Sequence, residues 1–223
     1  MKSISTLLLA VVIGSVVSHR DNYGFGGGRP GSGGRPGSGG RPGGSRPGNS
    51  NRGCGSGWER FNRPSGGWCI KVFRGEHSQA NAEARCQNIG ARLSGVQNQA
   101  EINYITRSAL SLISQSSGSV WLGAKRTSAC STAPLSNTCN SMNSFQWTDR
   151  ATTGTAGLIW NTNQPDNAHA QTQQCMVALA SRSAMVQDSW GWQANRLDDV
   201  GCGVVAGENG PRTVRAYACG KRA

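Results

Sequence analysis

Eight cysteines, Cys54, Cys69, Cys86, Cys130, Cys139, Cys175, Cys202 and Cys219, constrain this chain more than any other feature. Their meaning depends on the compartment in which the chain folds. Lys2 precedes an apolar run from Leu7 to Ile13, which breaks at Gly14-Ser15. Val16 and Ser18 then stand at the small-residue positions before His19. This pattern reads as a secretory signal peptide over residues 1–18. The run is too short to span a bilayer, and no later segment is apolar enough to do so. A secreted, extracellular chain with an even number of cysteines is expected to form disulfides. Zinc is disfavoured, because Cys-x-x-Cys is absent and no Cys/His pair has finger-like spacing. Spacing alone leaves the connectivity open.

Charge divides the remainder in two. Residues 19–53 hold six arginines and one aspartate, whereas the chain from Cys54 onward holds sixteen Lys/Arg against ten Asp/Glu. Gly-Gly-Arg-Pro-Gly-Ser recurs around Arg29 and Arg35, with looser copies at Arg41 and Arg46. Such a segment has almost no apolar surface to offset ordering entropy and is expected to be a disordered basic linker. It reads either as a passive spacer or, through its arginines, as an electrostatic tether to anionic surfaces. Nucleic acid is not the expected partner, since the chain is secreted and the arginines are not interleaved with aromatics.

Residues 54–223 are long enough for one sizeable core. Trp68 to Phe73 reads as a strand. Ser78 reads as an N-cap before a short helix carrying Ala80, Ala82, Ala84 and Cys86. Asn98 to Glu101 resembles a capping box. Ile102, Ile105, Ala109, Leu112 and Ile113 follow it as one apolar helical stripe. Short apolar runs then alternate with polar loops: Val120 to Ala124, Phe145 to Trp147, Cys175 to Leu179 and Val214 to Cys219. Residues 181–208 read as mostly loop. Two helices followed by short strands predict an α+β domain.

The chemistry gathers at two places. Gln164-Pro165-Asp166 sets two oxygen-bearing side chains on either side of a rigid proline. Asp198-Asp199 places two carboxylates just before Cys202. Carboxylate and amide oxygens are what a hard cation such as Ca2+ takes, six to eight at a time. An enzyme is not expected. The only histidines are His19, His77 and His169, there is no His-Glu-x-x-His or Gly-x-Ser-x-Gly, and adjacent aspartates cannot straddle a scissile bond.

Taken in order, Trp121-Leu122-Gly123-Ala124, Phe145-Gln146-Trp147-Thr148-Asp149, Trp160 with Gln164-Pro165-Asp166, and Leu197-Asp198-Asp199 before Cys202 resemble the C-type lectin-like domain, most closely secreted nematode members of the long form. The resemblance spans nearly everything from Cys54 to Cys219. It implies a C-type lectin-like fold with two helices, small antiparallel sheets and long loops, stapled by disulfides. The implied pairs are Cys86 with Cys219, Cys175 with Cys202, and Cys54 with Cys69. Cys130 and Cys139 remain to close a local loop.

It also implies a Ca2+ site that ligates sugar hydroxyls directly, with Gln164, Asp166, Gln173, Asp198 and Asp199 as metal ligands. Gln173 stands where the family has glutamate, and Asp198 where it has asparagine. Gln164, Asp166 and Asp198 would also contact the sugar. Gln-Pro-Asp resembles galactose-type members. His169 holds the place of the aromatic stacker, with Trp190 or Trp192 as substitutes from the long loop. The expected function is a secreted calcium-dependent carbohydrate-binding lectin for microbial or mucin-type glycans, as in innate immunity. One such site binds weakly, so an oligomer or the tail would have to add valency. The alternative is a calcium-independent module that binds protein or anionic polymer through its basic surface.

Overall fold

A computed structural model describes residues 53–187, 191–203, 210 and 213–223. The expected signal peptide and basic linker, and Trp190, lie outside the described residues. In chain order the elements are β1 (Glu59–Arg63), β2 (Gly66–Arg74), α1 (Gln79–Gln87), β3 (Arg92–Leu93), α2 (Gln99–Leu112), β4 (Ser117–Arg126), β5 (Phe145–Trp147), β6 (Cys175–Ser181), β7 (Met185–Val186), β8 (Trp192–Gln193), β9 (Leu197–Val200) and β10 (Val214–Arg222). Residues 181–208, read as mostly loop, thus contain β7, β8 and β9. Sequence runs this short and polar do not announce strands; cross-strand partners supply the order.

One sheet carries the fold, in the order β1-β2-β10-β4-β6-β9, with β3 on β10 and β5 on β4. It is mixed rather than purely antiparallel, because β10 runs parallel to β4. Successive strand residues point to opposite faces, and both faces are covered. Ile70, Val72, Val120, Leu122, Met176, Ala178, Ala216 and Ala218 share one core with the α2 residues Ile102, Ile105 and Ala109. Cys69, Trp121, Val177, Leu179, Tyr217 and Cys219 share the other with Ala82 and Cys86 of α1. Burial on both sides explains why β4 and β6 read as nearly unbroken apolar runs.

Both helix starts follow the sequence signals. Ser78 caps α1 by accepting the Asn81 amide, and the Asn98 side chain accepts the amides of Ala100 and Glu101. Glu101 reaches back one residue further than a standard capping box, to the Gln97 amide at 2.8 Å. Leu112 departs from the expected stripe: it is exposed, while Ile113 is buried. The helix ends at Leu112, so the residue beyond it turns inward instead.

All four disulfides form: Cys54–Cys69, Cys86–Cys219, Cys130–Cys139 and Cys175–Cys202. The glycine of Trp121-Leu122-Gly123-Ala124 is a matter of close approach. A Cβ on Gly123 would stand 2.0 Å from the Leu93 carbonyl oxygen, where β4 passes β3.

Arg63, at the end of β1, organises the other conspicuous motif. Its guanidinium is buried between two carboxylates. Nε and Nη2 hold Glu101 of α2 at 2.8 and 2.6 Å, and Nη1 holds Asp149 at 3.1 Å. Nη2 also donates to the Gly95 carbonyl, and the group lies 4.8 Å from the centroid of the Trp68 ring. Asp149 in turn accepts the amides of Gly95, Ala151 and Thr152. Burial alone would raise its pKa. The Thr152 and Ala151 amides, the Thr152 hydroxyl and Arg63 outweigh it and hold the carboxyl below its ordinary value.

A depressed folded-state pKa contributes stability that is present above the unfolded value and is lost as pH falls through the folded one. We therefore expect the urea midpoint to drop as pH falls below about 4, and Asp149→Asn to remove part of that acid limb. Equal acid slopes in wild type and variant would contradict this role for Asp149.

Candidate functional site

The proline loop and β9 meet at Asp199. Trp160 bridges to Leu197 in parallel register. The Asn161 amide donates to the Leu197 carbonyl at 2.8 Å. Trp160 is anchored by its indole N–H on the Ser141 carbonyl at 2.7 Å and by its ring against Phe145. The Gln164–Pro165 peptide is cis. The loop then turns so that two successive amides aim at one carboxylate: Asp166 donates to Asp199 Oδ1 at 3.1 Å and Asn167 to Asp199 Oδ2 at 2.9 Å.

The remaining partner of that carboxylate was not legible in the sequence. Arg126, the last residue of β4, donates from Nη2 to Asp199 Oδ2, and both side chains are fully buried. Its Nε donates to the Gln173 carbonyl at 2.9 Å, and its guanidinium packs 4.7 Å from the centroid of the Phe145 ring. Burial pushes the Asp199 carboxyl up to about 6, against the pull of Arg126 and the Asn167 amide; Asp166 nearby adds to the rise. Burial pulls Arg126 down, while Asp199 and Asp166 hold it up. A guanidinium stays protonated even so.

The other expected ligands scatter around this pair. Gln164 turns its amide oxygen back to the Asp166 amide at 3.0 Å. Asp166 Oδ1 accepts from the Ala168 amide at 3.1 Å. Asp198 is buried on the face of β9 opposite Asp199: it lies across from Val177, and Asp199 across from Met176. The Gln173 side-chain oxygen is buried and has no hydrogen-bond partner among the described residues. Asn167 is a structural staple. Its side-chain nitrogen donates to the carbonyls of Ser131 and Ala133, and its oxygen accepts the Gln173 amide. It thereby ties the disulfide loop of Cys130–Cys139 to the proline turn.

These residues fit a calcium ion poorly. Among the described residues, no three His, Cys, Asp or Glu side chains stand together in a way that could hold a metal. Asp166, Asp198 and Asp199 therefore do not form the expected three-carboxylate cluster. Consecutive strand residues project to opposite faces, which separates Asp198 from Asp199. Asp199 has already spent its oxygens on a cation and two amides. A divalent ion about 4 Å from the fixed guanidinium would meet a repulsion on the order of 8 kcal/mol at the effective dielectric of a protein site.

The expected stacking residues differ in exposure. Trp192 is 1% exposed and belongs to the core that contains Trp121, so its ring is closed to a sugar. Of the two places open to it, core or sugar face, Trp192 takes the core, on the strand β8 that pairs with β7. His169 is exposed and sits at φ 53 in a left-handed turn with Ala170 and Gln171.

The two-faced sheet, the cis-proline loop abutting β9 and the disulfide framework define a C-type lectin-like domain. More specifically, residues 59–222 match the family described as C-type lectin domain-containing protein 141/158, and the chain belongs to that family. Members of C-type lectin domain families are typically non-enzymatic. Similar solved structures include a calcium-independent type II antifreeze protein, at 20% identity, covering 76% of this chain and 95% of that one with a TM-score of 0.48. They also include the cow carbohydrate-recognition domain of CD23 with an oligosaccharide (17% identity, 76% and 96% covered, TM-score 0.47). The mouse scavenger receptor C-type lectin domain is similar at 16% identity (76% and 98% covered, TM-score 0.47).

Proposed function

We propose that this chain is a secreted, carbohydrate-binding C-type lectin whose proline-loop site works without calcium. The observation that carries the second half is the Arg126 guanidinium seated on Asp199. A calcium ion ligated by Gln164, Asp166 and Asp199 would join the proline loop to β9. Here an internal cation makes that link, and the carboxylate that would reach for a metal is occupied. Family membership supports carbohydrate as the ligand class. Four disulfides suit an oxidising compartment, and residues 1–18 have the pattern of a secretion signal. Microbial and mucin-type glycans are the candidates for a secreted member. A galactose preference has less support than the Gln-Pro-Asp motif suggests, because Trp192 is buried and Asp198 lies on the far face of β9.

The test is a thermal melt of the mature, oxidised protein in millimolar calcium and then in chelator. We expect the two midpoints to agree within about a degree. A ligand present at a hundredfold excess over its Kd adds about 2.7 kcal/mol to the folded state. For a chain of this size that amounts to a rise of roughly 6 °C or more. A rise of that size in calcium, lost in Asp199→Asn, would overturn the calcium-independent reading. A glycan array probed in chelator addresses the other half. Retained binding is the expected result, and binding seen only with calcium is the contrary one.

A further inference from the structure

On a different part of the surface lies an open groove of about 600 Å3. Its walls are the exit of α1 at Gly90, the start of β3 at Arg92, the loop at Arg150 and the end of β10 at Lys221 and Arg222. Its floor follows from strand register. Gly220 lies beside Arg92 and Arg222 beside Trp68. A Cβ on Gly220 would come within 2.4 Å of the Trp68 indole nitrogen, so glycine leaves the floor open above the ring.

The lining is cationic. Arg150 is exposed on a left-handed backbone at φ 60, and Arg222 is exposed with Nη1 donating to the Ser65 carbonyl at 3.2 Å. Arg92 is half-buried. Lys221 borders the groove at the end of β10, but its side chain projects to the opposite face of the strand, with the ammonium 4.5 Å from the centroid of the Trp58 ring. Among the described residues, none of these four makes an ion pair. The one acidic side chain in the lining, Asp149, is buried and already held by Arg63 and three backbone amides. A groove of one sign, with no carboxylate free to answer it, concentrates potential and draws anions.

We propose that this groove binds an anionic polysaccharide, a glycan carrying sulfate or carboxylate groups along its length. A ligand with several anionic groups fits better than a single small ion, because the groove's arginines stand on three separate segments: the start of β3, the loop at Arg150 and the end of β10. The groove cations are arginines, whose planar donor fork matches the paired oxygens of sulfate and carboxylate. Sugar-type backbones fit the lectin class, and in that respect alone the proposal rests on the glycan-binding reading. It uses none of the residues around Asp199.

The test measures binding of a short fluorescent heparin oligosaccharide to the mature protein in chelator at low salt. A galacturonate oligomer serves as the arm with carboxylates alone. Arg92→Gln/Arg150→Gln is compared with a control of equal charge loss, Arg74→Gln/Arg107→Gln, at exposed positions outside the groove lining. The groove variant is expected to weaken binding of at least one probe by about tenfold or more, and the control by no more than about twofold. Equal weakening in both variants would mean general charge attraction and would overturn the proposal, as would absence of binding in the wild type. Stronger binding to phosphatidylserine vesicles that depends on Arg92 and Arg150 would assign the groove to lipid instead, and would overturn it too. Neutral oligosaccharides run in the same buffer report separately on the proline-loop site, so failure of one reading is not failure of the other.

Discussion

Replacing Arg63 with leucine is expected to cost more than about 5 kcal/mol, a large share of the stability of an ordinary domain. The side chain is the sole cation between Glu101 and Asp149 among the described residues, and all three groups are out of water. Removing one member of a buried ion pair costs about 3–5 kcal/mol, because the partner keeps its desolvation penalty and loses its compensation. Here two carboxylates would be abandoned together. The loss also spreads through the fold, since Arg63 joins β1, the first turn of α2 and the loop after β5. Arg63→Lys separates charge from geometry. An ammonium can satisfy one carboxylate but cannot span both, so an intermediate loss is expected. Urea unfolding followed by tryptophan fluorescence measures both variants. A loss under about 2 kcal/mol for Arg63→Leu would show that the triad is not the anchor described.

Cutting the Cys86–Cys219 link by the double serine substitution is the second large effect. The bond joins α1 to β10 across a separation of 133 residues, and both sulfurs are fully buried. In the chain-entropy model a loop of that length is worth about 5 kcal/mol. Cys130–Cys139 closes a separation of only 9 residues at the edge of the domain, which the same model values at about 2.5 kcal/mol. The expected result is therefore an ordering. The Cys86→Ser/Cys219→Ser protein should lose roughly twice the stability of Cys130→Ser/Cys139→Ser, with equilibrium denaturation as the measurement. Equal losses would argue that local strain or packing, rather than loop closure, sets the contribution of each bridge.

Much of the scaffold was legible beforehand for identifiable reasons. Cap residues act over three or four positions, so Ser78 and Asn98 marked both helix starts. Strands buried on both faces must be apolar throughout, so β4, β6 and β10 stood out as runs. What was missed involves partners distant in sequence. Leu112 continues the helical stripe on paper, but the helix ends there and Ile113 takes the buried place. The sequence leaves Trp192 open between core and sugar face, and its place on β8 decides for the core.

The site shows the same division. By itself the sequence determined the chemistry available: amide and carboxylate oxygens at Gln164, Asp166, Gln173, Asp198 and Asp199, an even set of cysteines, and an excess of arginine. These are properties of residues, and they pointed to the C-type lectin class. Only the tertiary structure decided what those groups do to one another. Strand alternation sends Asp198 and Asp199 to opposite faces. The end of β4 brings Arg126, 73 residues away in the chain, onto Asp199. Register between β10, β3 and β2 opens a groove beneath Arg92 and Arg222. A charge is written in the sequence, but its partner is chosen by folding. The energy of a buried charge depends almost wholly on that partner, because so little water remains to compensate it.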